Sequence, residues 1–164
     1  MSGFRFPPAA LFAGAAASQH LLARRRAVRP TTFVAAAVVS AASGWLLAGS
    51  VREFRRQGTG FDPIDVAGAT SLVVRGPNRL TRNPMYGGLT GLLVAHAILR
   101  RSALAALPVA AFVLVIDRAQ IPVEEGALSA KFGDDFERYR RSVPRWLDRR
   151  SVEFLRTLTS GGKP

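Results

Sequence analysis

Apolar blocks and arginine-rich blocks alternate along this chain. Residues 7–23 are apolar and alanine-rich, broken by Ser18, Gln19 and His20. Arg24, Arg25, Arg26 and Arg29 follow. Residues 31–51 form the clearest uncharged run, with small residues Ser40, Ser43, Gly44 and Gly49 suited to close helix packing. It passes directly into Arg52-Glu53-Phe54-Arg55-Arg56. Two more apolar segments, 85–99 and 102–116, are separated only by Arg100-Arg101. A soluble basic protein spreads its charges along amphipathic helices, whereas this blockwise pattern belongs to membrane helices. It predicts an all-α integral membrane bundle of about four transmembrane helices, the last two forming an antiparallel hairpin. Each apolar core of that hairpin is about fifteen residues, or roughly 23 Å of helix against a ~30 Å hydrocarbon layer, so flanking residues complete the crossing. The first segment is also short. Ala15 and Ala17 make a signal peptide its rival reading, but Pro7-Pro8 and a lone Arg5 before them favour an uncleaved span.

The remaining pattern is polar. Residues 57–83 make a long connection, in which Ile64, Val66, Leu72, Val73 and Val74 are anchors and Asp62-Pro63 a turn. Its end, residues 76–86, packs two arginines, two asparagines and two prolines against the start of an apolar helix. Pro84 suits the first helical turn, with Asn83 as its cap. Beyond Ile116 a charged helix runs to Lys131 and stops at Gly133, and a short helix follows over 134–141. An extended, interface-seeking segment comes next at 143–147, then an amphipathic helix over 151–158 and a loose end. Pro108 is placed to kink the fourth span. The expected organisation is one domain, 1–164: N-terminal spans to residue 56, a motif-bearing core over 57–147 and a tail over 148–164.

Composition sharpens this picture. The chain has 164 residues, is 48% hydrophobic and carries a net charge of +12. The basic excess points to an anionic lipid surface. Aromatics do not interleave with the arginines as base-stacking platforms would, so no nucleic-acid role is expected. The absence of cysteine excludes disulfides, thiolate metal sites and a cysteine nucleophile. No histidine–carboxylate cluster has metal-site spacing. With four spans, most of the 23 basic residues fall on the side holding both termini. Positive-inside therefore puts both ends, and the polar stretch, in the cytoplasm, although the cluster at 24–29 dissents.

The motifs Arg82-Asn83-Pro84-Met85-Tyr86-Gly87-Gly88, Glu124-Glu125, Phe132-Gly133-Asp134-Asp135-Phe136 with Tyr139, and Val143-Pro144-Arg145-Trp146 stand in that order around the hairpin. Together they resemble the isoprenylcysteine carboxyl methyltransferase family and its phospholipid methyltransferase relatives. That pattern reads Arg-His-Pro-x-Tyr-x-Gly, a two-helix hairpin, Glu-Glu, Phe-Gly-x-x-Tyr and a Val-Pro segment. The resemblance covers residues 52–147. It implies an integral membrane enzyme using S-adenosylmethionine, bound at the cytosolic face between the loop before the third span and the helix after the fourth. Carried over by position, Asn83, Pro84, Met85 and Tyr86 would line the cofactor site. Asn78 and the backbone near Thr70 to Val73 would contribute from the loop, Glu125 would face the cofactor, and Glu124 would lie near the reacting end. Two positions depart from the pattern. Asn83 replaces histidine, and an amide donates and accepts but does not titrate near neutral pH. Gln120 stands where relatives carry the arginine that orients an acceptor carboxylate, with Arg118 two residues away.

Methyl transfer from a sulfonium needs positioning and exclusion of water more than a strong base. Arg79 and Arg82 are candidate donors for the cofactor carboxylate, and Glu124 and Glu125 candidate partners for its ribose and amine. Glu124 and Arg118 are the catalytic candidates, with Glu124 the base for an amine acceptor. The acceptor is expected to be hydrophobic or lipid-like, reached sideways from the bilayer. Plainer readings compete at each residue. Glu124 and Glu125 suit a solvated face pairing with Arg118 or Lys131, the arginines suit lipid phosphates, and Tyr86 and Trp146 suit interfacial anchors. His96, inside an apolar helix, is expected to make an interhelical hydrogen bond. At the level of the whole chain, a nicotinamide-dependent membrane reductase and a non-catalytic membrane scaffold are the alternatives.

Overall fold

The computed structural model describes residues 7–23, 27–58 and 70–160. The expectations for residues 24–26, for Asp62-Pro63, Ile64 and Val66, and for the last four residues lie outside this range. Among the described residues there are helices and no strands: α1 (Pro8–Leu22), α2 (Pro30–Arg56), α3 (Pro84–Arg100), α4 (Ala106–Val115), α5 (Ile121–Phe132), α6 (Asp134–Ser142) and α7 (Arg149–Thr159). Among the described residues two helices, Pro30–Arg56 and Ala103–Phe132, are long and apolar enough to cross a membrane. Helices α1 and α3 are shorter, at 15 and 17 residues.

Local chemistry explains the boundaries. Pro30 opens α2, where its missing N–H is not needed, and the Thr32 hydroxyl accepts from the Arg29 N–H and donates to the Arg29 carbonyl. The Gly58 N–H closes the end of α2 on the Arg55 carbonyl, with Gly58 at φ +60°. Arg101 turns the chain out of α3 at φ +50°. A 3-10 turn, Ala103–Ala105, precedes α4, so Pro108 falls within its first turn. The apolar fourth segment and the charged helix after it form one continuous helix over Ala103–Phe132, joined through a π-helical stretch at Ile116–Gln120. Pro122 accounts for that stretch. It offers no N–H to the Arg118 carbonyl and its ring would crowd it, and a widened turn relieves both.

The chain forms two compact units, each drawn from two stretches of sequence. The first comprises Met1–Trp45 and Gly88–Glu125. In it α1 packs along α4 and the turn before it, with Phe12 set edge-on to Phe112 at 6.5 Å. Its polar centre is Gln19, which is fully buried. The Gln19 amide donates to the carbonyls of Leu93 and Ala105 at 2.9 Å each, and its oxygen meets His96 Nδ1 at 2.9 Å. His96 thus makes the expected interhelical hydrogen bond. Arg100 donates to the His20 and Ala23 carbonyls and Arg101 to that of Ala27, so the two arginines of the tight connection tie down the end of α1.

The second unit comprises Leu46–Gly87 and Gly126–Pro164. Its core is Phe136, Tyr139 and Val143, with Leu72, Leu128 and Phe132 packed around them. Gly133, at φ +50°, reverses the chain between α5 and α6 and brings Phe132 and Phe136 onto one core. Helix α7 begins with a capping box: Asp148 accepts from the Ser151 N–H, and the Ser151 hydroxyl accepts from the Asp148 N–H. Desolvation pushes the Asp148 carboxyl up, but hydrogen bonds from the Arg150 side chain and from the Ser151 and Arg150 backbone, with the Arg150 charge, hold it below its ordinary value.

Candidate active site

The polar stretch at residues 76–86 belongs wholly to the second unit. It starts as a 3-10 turn, Gly76–Arg79, seated against α2. Gly76 has φ +59°, and a Cβ there would lie 2.8 Å from Cγ of Glu53. Pro77 is buried against Gly49, where an added Cβ would stand 2.7 Å from the proline ring. Both glycines are therefore required by the close approach of turn and helix. Among the small residues of α2, Gly49 serves the packing expected of it.

Beyond the turn, side chains and backbone fasten the stretch to the segment after α6. The Thr81 hydroxyl donates to the Arg145 carbonyl at 2.7 Å and accepts from the Asn83 N–H at 3.2 Å. The Asn83 side-chain amide donates to the same Arg145 carbonyl at 3.1 Å. The Arg82 N–H donates to the Pro144 carbonyl at 2.9 Å, and its guanidinium to the carbonyls of Val143, at 2.6 Å, and Arg140, at 3.1 Å. Further along, the Ser151 hydroxyl donates to the Leu80 carbonyl at 2.6 Å, and the Arg79 guanidinium lies 4.7 Å over the Phe154 ring. The Arg-Asn-Pro and Val-Pro-Arg motifs, some sixty residues apart, are thus one hydrogen-bonded clasp.

The remaining expected residues are placed as follows. Pro84 opens α3, Asn83 precedes it and accepts from the Gly87 N–H, and Tyr86 and Val73 are buried while Met85 is half-buried. Asn78 is 4% exposed, and its backbone carbonyl accepts from the Tyr139 hydroxyl at 2.7 Å. Burial raises the Tyr139 phenol well above its ordinary value. The Asn78 side-chain oxygen is buried with no hydrogen-bond partner among the described residues, and the same holds for the Ser50 hydroxyl on α2. In the first unit, the Gln120 amide donates to the Glu124 carboxylate at 2.7 Å, one turn along the same helix. Arg118 is largely exposed and pairs with Asp117 at 3.3 Å, while Glu124 and Glu125 are half-buried. Gln120 and Glu124 are therefore joined on one face of the same helix.

Sequence reasoning passed over Thr81 and Ser50. A hydroxyl two residues before the Asn-Pro step was the available signal for Thr81. Ser50 carried none, because serine is ordinary in an apolar helix.

This is the architecture of an all-α, membrane-associated protein in which the Arg-Asn-Pro and Val-Pro-Arg motifs of the second unit are joined. A family model described as phospholipid methyltransferase matches residues 31–135. The chain belongs to the phospholipid methyltransferase family. An uncharacterized protein of Haemophilus influenzae is 44% identical over 63 residues, which is 38% of this chain and 100% of that protein. No solved structure matches. The family match ends at residue 135, so the Val143–Arg145 side of the clasp is placed by the three-dimensional structure alone.

Proposed function

We propose that this chain is an integral membrane methyltransferase that uses S-adenosylmethionine and acts on a hydrophobic or lipid-like acceptor. The observation that carries the cofactor assignment is Asn78. A buried amide oxygen without a donor costs about 1–3 kcal/mol, and the amine and ribose hydroxyls of S-adenosylmethionine are donors of the kind it lacks. Val73, Asn78, Asn83, Pro84, Met85 and Tyr86 form the cofactor-binding surface, and Arg82 holds it in shape through the clasp. Glu125, which belongs to the first unit, is assigned to cofactor binding by the family likeness alone. In its bound form S-adenosylmethionine supplies an electrophilic methyl group on a sulfonium. The chain's task is to orient the acceptor and to keep water out.

Glu124 is the candidate catalytic carboxylate, positioned by Gln120, with Arg118 beside it on the π-helical stretch. An amine acceptor gives up a proton, and Glu124 takes it. Isoprenylcysteine-type carboxylate methylation remains the reading by family likeness. A carboxylate needs no base, but Gln120 offers it a neutral amide in place of an arginine. In this reading α1 and α3 are two shorter spans, the whole is one domain of four spans, and both termini lie in the cytoplasm.

Binding of S-adenosylhomocysteine to the purified protein in detergent tests the proposal, with a reduced nicotinamide dinucleotide as the competing ligand. Binding of the first, weakened in Tyr86→Ala and Glu125→Ala, supports it. No binding at millimolar ligand, or preference for the dinucleotide, overturns it. Turnover of a prenylated cysteine analogue against an aminophospholipid then separates the two acceptor chemistries.

A further inference from the structure

Helix α2 has two unlike sides near its basic end. On one side, Leu46 approaches Gly87, Gly49 meets Pro77 and Glu53 lies against Gly76, with Ser50 buried among them. The other side bears an open groove of about 640 Å³, lined among the described residues by Leu47, Ala48, Val51, Arg52, Arg55 and Arg56. At about 100° per residue these two sets point in roughly opposite directions. The groove therefore faces away from the turn that carries the candidate site.

Its chemistry is divided along the helix. Leu47, Ala48 and Val51 form an apolar floor. The arginines close the other end. Arg56 is paired with Glu53 at 3.3 Å. Arg52 and Arg55 are exposed, and neither guanidinium has a hydrogen bond or ion pair among the described residues. Basic residues at a helix C-terminus complement its dipole, but that does not require them to gather over an apolar floor.

We propose that this groove binds an anionic phospholipid of the surrounding membrane, at a site separate from the methyl acceptor. The acyl chain lies along Leu47, Ala48 and Val51, and the phosphodiester sits between Arg52 and Arg55. A free anion would use the arginines alone and leave the apolar floor bare. A neutral lipid would use the floor and leave two guanidiniums without a counter-charge. An anionic lipid satisfies both, and α2 is one of the two helices long enough to hold the groove at the edge of a bilayer.

The test uses the full-length protein in phosphatidylcholine nanodiscs with and without phosphatidylglycerol, read by native mass spectrometry of retained lipid and by thermal unfolding. Wild type should retain phosphatidylglycerol and unfold at a higher temperature in its presence. Arg52→Gln/Arg55→Gln should weaken retention on the order of thirty-fold, from about 1 kcal/mol per arginine at an anionic surface. Arg138→Gln/Arg141→Gln removes the same charge elsewhere and should leave retention unchanged. Equal loss in both variants means diffuse surface charge and overturns the site. Full replacement of the lipid effect by inorganic phosphate means a free-anion site and also overturns it. Lipid retention is read without methyl transfer, so failure here is distinct from failure of the enzymatic proposal.

Discussion

The Asn83 side-chain amide donates to the Arg145 carbonyl at 3.1 Å, and that carbonyl also accepts from Thr81. The residue that departs from the histidine of the family pattern is therefore half of a structural joint. An amide can donate there at any pH, which a titrating ring does only in a suitable tautomer. Asn83→Ala should lower unfolding free energy by about 1–3 kcal/mol and weaken S-adenosylhomocysteine binding. Asn83→His should recover part of both. Thr81→Val, which removes the companion hydroxyl, should cost stability in the same range. Chemical denaturation in detergent, paired with ligand titration, reads these effects.

Contact at Gly49 makes a second prediction. A methyl group there meets the Pro77 ring at 2.7 Å, whereas a Cβ at Gly44 meets nothing within 4 Å. Both residues lie in α2, so the gain in helix preference from alanine, up to about 1 kcal/mol, is shared. Gly44→Ala should be neutral or stabilising. Gly49→Ala should be destabilising by about 1–3 kcal/mol, because a rigid ring has no rotamer to yield. Opposite signs in thermal unfolding would bear this out, and equal shifts would count against the turn-on-helix contact.

Gln19 and His96 should be energetically coupled. Gln19→Leu leaves His96 and the Ala105 carbonyl without their partner, and His96→Leu leaves the Gln19 oxygen without its own. A double-mutant cycle should give a coupling of about 0.5–2 kcal/mol, in the range of hydrogen bonds between packed helices. Zero coupling would show that the pair is incidental.

Tyr139 sets an alkaline dependence. Burial favours its neutral phenol, whose hydroxyl is bonded to the Asn78 carbonyl. Its folded-state value is raised, so the stability it contributes is complete below the ordinary tyrosine value near 10 and is lost as pH rises through the folded value. Of the two tyrosines in the chain, Tyr139 should stay un-ionised in an absorbance titration until the protein unfolds. Tyr139→Phe should remove the loss of stability above pH ~10.

Asp148 gives the opposite sign at the acid end. Its carboxyl is held below the ordinary value, so its contribution is present above that value and fades as pH falls through the folded one. Asp148→Asn should flatten acid unfolding of α7, followed by proteolysis near residue 149, while leaving the neutral-pH fold intact.

Much of this protein was determined by short-range chemistry. Apolar blocks and their arginine borders specify helices at α2, α3 and over Ala103–Phe132, because an uninterrupted apolar run has few other ways to satisfy its backbone in a membrane. Pro30, Pro84 and Gly133 mark boundaries by what their own backbones permit. His96 was legible because a polar ring inside an apolar helix needs a partner. That the partner is Gln19, 77 positions earlier, was not legible, since nothing local pairs two helices. The same limit applies to Arg82 and Asn83. Their sequence reads as a set of donors aimed at a ligand, yet tertiary structure turns several of those donors onto the carbonyls of residues 140–145. Backbone carbonyls are identical at every residue. Only the fold decides which of them come within hydrogen-bond reach of a guanidinium or an amide, and so which donors build the joint and which buried side-chain oxygens, those of Ser50, Asn78 and Thr90 among the described residues, are left without a partner.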